Sequence, residues 1–201
     1  MQLSREQQDA LTELINIAFG RTASALSELT GRRVILAAPE LSVIPVDQLG
    51  QHLSALAARE VATVHQIFTG PLAGDAMLIL GYDSAVQLAQ LMVGQRPPIQ
   101  RLDVSDREAL TEVGNILLNA CLGTFGNILE TRISFSVPRL YLESLEGLID
   151  SLVIGHEELR YALVVTTTFE LEDSAVSGFL VVALGLASMD RLFEAIMAGI
   201  E

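Results

Sequence analysis

The sequence is short of three things: cysteine, basic residues and long apolar runs. Its one cysteine, Cys121, has no partner for an internal disulfide, and no Cys/His cluster has the spacing of a metal site. His52, His65 and His156 are scattered along the chain and read as ordinary structural or surface histidines. Twelve basic residues stand against 25 acidic ones, for a net charge of −13. That balance lacks the basic face nucleic acid demands and disfavours an anionic membrane surface. A basic patch on another protein is the better electrostatic partner. No apolar run reaches the roughly 18–20 residues of a membrane span. The opening MQLSREQQDALTEL has charged and amide residues where a signal peptide needs a basic start and an apolar core. No membrane insertion is expected, and the cytoplasm is the default location. What remains is a 201-residue chain, half hydrophobic and 18% charged, which is the composition of a globular protein. It has enough residues for one sizeable core or two small ones.

The chain repeats itself. ELINIAFG (13–20) has a relative in EVGNILLN (112–119), an offset of 99 residues. At that offset Asn16 falls on Asn115, Ile17 on Ile116, Leu26 on Phe125 and Pro39 on Pro138. VDQLGQHLSAL (46–56) lies over LEGLIDSLVIG (145–155), and both halves end alike, SAVQLAQLMVG (84–94) resembling SMDRLFEAIMAG (188–199). The chain therefore reads as a tandem duplication: one domain over 1–201 made of repeats 1–94 and 103–201, with 95–102 and its two prolines as linker. Each repeat opens on a long helix. Ser4 with Gln7 offers a capping box and Gly31 a stop for the first; Ser105 with Glu108 offers the box for the second. Short β-branched runs follow, RRVILAA (32–38) and TRISFSV (131–137), each closed by a proline. A short helix comes next, at 46–54 and 145–152. Two strands follow it, at 59–70 and 74–82 and again at 160–171 and 176–184, and then a closing helix. Linked strand pairs favour antiparallel pairing. The expected fold is α+β and pseudo-twofold, with a shared, largely antiparallel sheet and two long amphipathic helices.

On a helical wheel, Asp9, Asn16, Gly20, Ser24 and Ser27 fall within roughly 60° of Glu13. Leu11, Leu14, Ile15, Ala18, Leu26 and Leu29 take the other side. In the second helix Glu108, Glu112, Asn115, Asn119, Gly123 and Gly126 form one stripe, opposite Leu110, Val113, Leu117, Phe125 and Ile128. An ordinary solvated face is rich in long, helix-favouring polar residues. These stripes instead carry short residues and glycines, and a glycine in a helix interior costs up to about 1 kcal/mol against alanine. Close approach of another helix or a partner surface would compensate. A lone Glu–x–x–Asn on a helix is unremarkable. Here Glu, two residues, Asn, twenty-two residues, Pro occurs in both halves, as Glu13, Asn16, Pro39 and as Glu112, Asn115, Pro138. With each residue type at roughly 5% abundance, a given start fits by chance about once in ten thousand.

This pattern resembles the signature of the CheC-type chemotaxis phosphatases, the CheC/CheX/FliY family: Asp or Ser, three residues, Glu, two residues, Asn, twenty-two residues, Pro. The first half fits throughout at Asp9, Glu13, Asn16 and Pro39; the second departs only at Glu108. Two copies in about 200 residues are similar to the CheC branch rather than to CheX, which carries a single active copy. The resemblance spans the whole chain. It implies hydrolysis of the aspartyl phosphate of a CheY-type response regulator, with the two long helices presenting two separate sites. An acyl phosphate is already reactive, and the regulator brings its own Mg²⁺ and phosphate-binding lysine. The component still needed is an attacking water, and a side-chain amide can both donate to and accept from it. Asn16 and Asn115 are the candidates for orienting that water. Glu13 and Glu112 are placed to anchor a regulator lysine, Asp9 and Glu108 to extend the charged contact, and Pro39 and Pro138 to shape the chain nearby. No cofactor or metal of its own is expected. CheD, a receptor deamidase bound by some members, is a second candidate partner. The alternative is a non-catalytic docking module of the chemotaxis or flagellar switch apparatus, like the related middle domain of FliM.

Overall fold

The computed structural model describes residues 3–56, 60–93, 101–155, 159–171 and 174–198. Helix α1 (Arg5–Thr30) is bounded as its sequence predicts. Ser4 Oγ accepts from the Gln7 backbone N–H at 3.1 Å, the Gln7 side chain accepts from the Ser4 N–H at 2.9 Å, and Gly31 closes the helix at φ 65°. Strands β1 (Val34–Leu36) and β2 (Glu40–Pro45) follow, then α2 (Leu49–His52) between two 3₁₀ turns. The hairpin β3 (Glu60–Thr69) and β4 (Gly74–Gly81) leads into α3 (Tyr82–Val93). The same succession then recurs: α4 (Val104–Ile128), β5 (Ser134–Phe135), β6 (Arg139–Ser144), α5 (Leu145–Gly155), the hairpin β7 (Leu159–Leu171) and β8 (Ser174–Gly185), and α6 (Leu186–Ala198).

Three local expectations are corrected. The capping box of α4 is made by Asp103 and Asp106, not by Ser105 and Glu108. The Asp103 box starts the helix one residue after itself, and Glu108 is thereby left out on the helix surface. Strands β2 and β6, absent from the sequence reading, occupy the stretches just after Pro39 and Pro138. The β-branched runs before those prolines form only three- and two-residue strands. Of the expected linker 95–102, residues 95–100 lie outside the described residues; Leu102 is buried, and its backbone N–H donates to the Tyr82 hydroxyl at 3.3 Å.

All eight strands form one antiparallel sheet, in the order β1-β7-β8-β4-β3-β5, with β2 also on β7 and β6 also on β3. The pairing interlocks the halves. β1 and β2 of the first half flank β7 of the second, β5 and β6 of the second flank β3 of the first, and β4 pairs with β8 at the centre. Central strands are covered on both faces, so β4 is apolar at nearly every position rather than at alternate ones. Ala76, Leu78 and Leu80 join the core under α1, α3, α4 and α6, whereas Met77 and Ile79 join a second core with Leu49, Leu145, Leu148 and Leu152 from α2 and α5. The result is a mixed α+β fold with its two long helices on one side of the sheet. Among the described residues no helix is long and apolar enough to cross a membrane.

Helix α1 buries Leu11, Ile15, Ala18, Phe19, Thr22 and Leu26. Each large apolar side chain contributes about 1.5–3 kcal/mol relative to exposure. Leu29, assigned to that side by the wheel, is 58% exposed near the helix end. Helix α4 packs on α1 and α3 and lies directly over β3. It consequently buries eleven residues, Gly114 and Gly126 among them. A methyl on Gly114 would meet Val64 side-chain atoms at 2.5–2.9 Å, and one on Gly126 would meet the Thr131 carbonyl at 3.2 Å. Gly126 is therefore turned into the protein, away from the stripe on which the wheel sets it.

Candidate functional site

The surface turns of α1 and α4 carry the motif residues. Asp9, Glu13 and Asn16 are exposed on α1, Arg5 standing 4.0 Å from Asp9 as a solvated i,i+4 pair. Glu13 and Asn16 make no side-chain hydrogen bond among the described residues. One turn on, Gly20 is also exposed, with nothing within 4 Å of where a methyl would sit. Farther along, Ser27 leaves the stripe: its hydroxyl donates to the Ala23 carbonyl at 2.7 Å and accepts the Val34 N–H at 2.9 Å, pinning β1 to the helix.

On α4, Glu108 and Glu112 are exposed, but Asn115 and Asn119 are half-buried. Here the polar side chains are connected. Asn115 Nδ2 donates towards Glu112 Oε2 at 3.5 Å, and Asn119 Nδ2 donates to Asn115 Oδ1 at 2.7 Å. Below them Gln66 of β3, 2% exposed, donates its Nε2 to Asn119 Oδ1 at 3.3 Å and to the Ser136 carbonyl at 2.9 Å. Ser136 stands two residues before Pro138, so the segment carrying that proline is tied to the motif through Gln66. It is further held to β3 by paired bonds with Ile67: the Ser136 N–H to the Ile67 carbonyl and the Ile67 N–H to Ser136 Oγ, both at 2.9 Å. Pro39 has the matching location after β1, where the Ala37 N–H donates to the Thr168 carbonyl of β7 at 3.0 Å. Both prolines are half-buried.

Sequence reasoning missed Gln66 altogether. It belongs to a strand, and only the register of β3 under α4 brings it to the motif. Gly114 was missed for the same reason.

These groups can bind and orient. They offer no nucleophile: Cys121, on the inner face of α4, is fully buried, and burial pushes its thiol up to about 12. Among the described residues no three His, Cys, Asp or Glu side chains gather into a metal-holding group. A buried carboxylate, Asp75 of β4, lies at the opposite side of the sheet. There it meets His65 Nε2 at 2.5 Å, beside Tyr141, Glu143 and the α5 residues Leu148, Ser151 and Leu152.

The chain has recognisable relatives among known proteins. A family model described as "CheC-like family" matches residues 6–43, which hold Asp9, Glu13, Asn16 and Pro39. The chain is 25% identical to the CheY-P phosphatase CheC of Bacillus subtilis (strain 168), over 98% of this chain and 97% of that one. It is 26% identical to the flagellar motor switch phosphatase FliY of the same organism, over 70% of this chain and 36% of FliY. Among solved structures, Thermotoga maritima FliY superposes with a TM-score of 0.78 at 21% identity, covering 98% of this chain and 99% of that one. The FliM middle domain from H. pylori superposes at 0.68 with 9% identity, over 96% of this chain and 99% of that one, a likeness of fold alone. The motif of α1 thus lies inside the CheC-like family match, and the chain is similar to a CheC along nearly the whole length of both.

Proposed function

We propose that the chain hydrolyses the aspartyl phosphate of a CheY-type response regulator, each long helix presenting one site. The observation that carries the reading is a Glu and an Asn one turn apart on the outer turns of both α1 and α4, the α1 pair lying within the stretch matched by the CheC-like family model. The phosphatase names of the full-length CheC relative and of FliY support the same reaction.

In the proposed step, the amide of Asn16 or Asn115 accepts a hydrogen bond from a water and donates one to it, holding it in line with the phosphorus. The water oxygen bonds to phosphorus, the bond to the regulator's aspartate oxygen breaks, and inorganic phosphate leaves with the aspartate carboxylate restored. Phosphoryl transfer of this kind relies on positioning and charge stabilisation rather than on a protein nucleophile. The positive charges that stabilise it come from the regulator, as Mg²⁺ and a lysine. This chain contributes no lysine, its twelve basic residues all being arginines. Glu13 and Glu112 are the proposed contacts for that lysine. Asp9 and Glu108 extend the acidic edge by one more turn, and Pro39 and Pro138 set the path of the segments beside each site. The open space around Gly20 and Gly123 lets a partner surface come close to the helix backbone.

Substituting Asn16→Ala together with Asn115→Ala tests the reading. The double variant should bind the regulator carrying a beryllofluoride phosphate mimic as the wild type does, yet release no phosphate above the regulator's own rate. Near-normal phosphate release by that variant contradicts the water-orienting role. Binding without acceleration by the wild type itself would instead identify a docking module, a use compatible with the fold shared with FliM.

A further inference from the structure

The two motifs are not equivalent in their surroundings. In the second, four side chains form a directed series: Gln66 donates to Asn119, Asn119 to Asn115, and Asn115 to Glu112. All the bonds run one way, so each amide polarises the next, and the series ends on a carboxylate. It also removes a choice. An Asn side chain can turn over and exchange its oxygen for its nitrogen, but the Asn119 NH₂ group facing Asn115 accepts only the oxygen there. After these bonds Asn115 retains one N–H and one oxygen lone pair, a donor and an acceptor for a water.

Among the described residues the first motif lacks this support. Gly20 occupies the place of Asn119 at the 99-residue offset. The place of Gln66 follows from strand register, because Phe68 opposes Phe135 in one half and Phe169 opposes Leu36 in the other. Gln66 therefore corresponds to Thr167, whose hydroxyl is fully buried without a hydrogen-bond partner among the described residues. Gln66 keeps a buried oxygen, Oε1, that likewise has no partner among the described residues. Such a group costs stability relative to an apolar side chain of the same shape. A buried amide held at that cost, aimed at an exposed motif, points to a role other than packing.

Resting on the phosphatase reading above, we propose that Gln66 and Asn119 are positioning residues that fix the amide of Asn115 before the regulator arrives. The second motif is the preorganised site, and the first orders its amide only on the bound regulator.

The test uses the full chain in an Asn16→Ala background, where turnover comes from the second site. Asn119→Ala should lower kcat about tenfold, the scale of one hydrogen bond's positioning effect, with KM within about twofold. Gln66→Met keeps the side-chain length and removes both the donor and the unpaired oxygen. It should lower kcat in the same sense while leaving the melting temperature unchanged or higher. A merely structural role predicts the reverse, a lower melting temperature with kcat intact. An unchanged kcat in both variants overturns the relay while the phosphatase reading stands. An Asn16→Ala protein without activity, beside an active wild type, also overturns it. A wild type that does not accelerate phosphate loss removes the underlying phosphatase reading and the relay with it.

Discussion

Gly114 lies between Glu112 and Asn115, and Gly114→Ala is the most informative single change in the fold. On helix propensity alone, alanine should stabilise α4 by up to about 1 kcal/mol. Contact with β3 opposes that gain. The new methyl would stand 2.5 Å from Val64 Cγ1, 2.6 Å from its Cβ and 2.9 Å from its Cγ2. Ordinary carbon contact needs about 3.5–4 Å. The helix or the strand must therefore yield by roughly 1 Å, since a β-branched side chain cannot swing clear. Overpacking of this kind costs about 1–3 kcal/mol. The net expectation is a loss of about 1–2 kcal/mol, a melting temperature lower by roughly 2–8 °C for a chain this size. Because the displaced segment carries Asn115 and stands over Gln66, turnover at the second site should fall more than stability does, by as much as ~100-fold for a 1 Å displacement. Val64→Ala removes two of the three clashing atoms and leaves Cβ, so the pair should couple favourably but incompletely. Thermal unfolding followed by circular dichroism, with phosphate release in the Asn16→Ala background, measures both quantities. A Gly114→Ala protein that melts at or above the wild-type temperature would refute the tight seat of α4 on β3.

Gly20→Ala and Gly123→Ala should behave oppositely. With open space at both positions, each change should raise stability by about 0.5–1 kcal/mol, and titration with the regulator should show a higher KM if the stripe is the docking face. Gly31→Ala puts a methyl on a residue at φ 65° and should cost about 1 kcal/mol, read by urea unfolding. The Cys121 thiol should react with a chromogenic disulfide only as fast as the protein unfolds. Burial raises its folded pKa from the ordinary 9.0 to about 12, so its stability contribution is intact below pH 9 and lost as pH rises towards 12. Unfolding free energies measured across that window should decline by up to about 1.4 kcal/mol per pH unit, and Cys121→Ala should remove that decline.

Features set by neighbours in the chain were legible in the sequence. The Ser4–Gln7 box and the Gly31 stop depend on residues three apart and on one left-handed glycine, and both appear as expected. The box of α4 misled because Asp103–Asp106 and Ser105–Glu108 both fit the pattern, and two residues of displacement change only which one starts the helix. Strands β2 and β6 escaped because they are short, half-exposed and preceded by proline; their partners, β7 and β3, belong to the other half of the chain. The expectation of a sheet shared between the halves held, but the exchange of flanking strands is a long-range pairing that no local pattern encodes. The polar stripes of the helices were likewise visible, with Asn119 among them. That Asn119 is bonded to a buried glutamine of β3, and that Gly126 faces inward, follows only from how α4 lies on the sheet.

The central claim is catalysis, and the most direct measurement is the lifetime of a phosphorylated CheY-type regulator mixed with about one-tenth of an equivalent of this protein. Turnover predicts that the whole phosphorylated pool decays faster than it does alone, in proportion to the protein added. A lifetime that stays unchanged, or lengthens only when the protein is stoichiometric, would contradict the account and describe a binder that shields the phosphate.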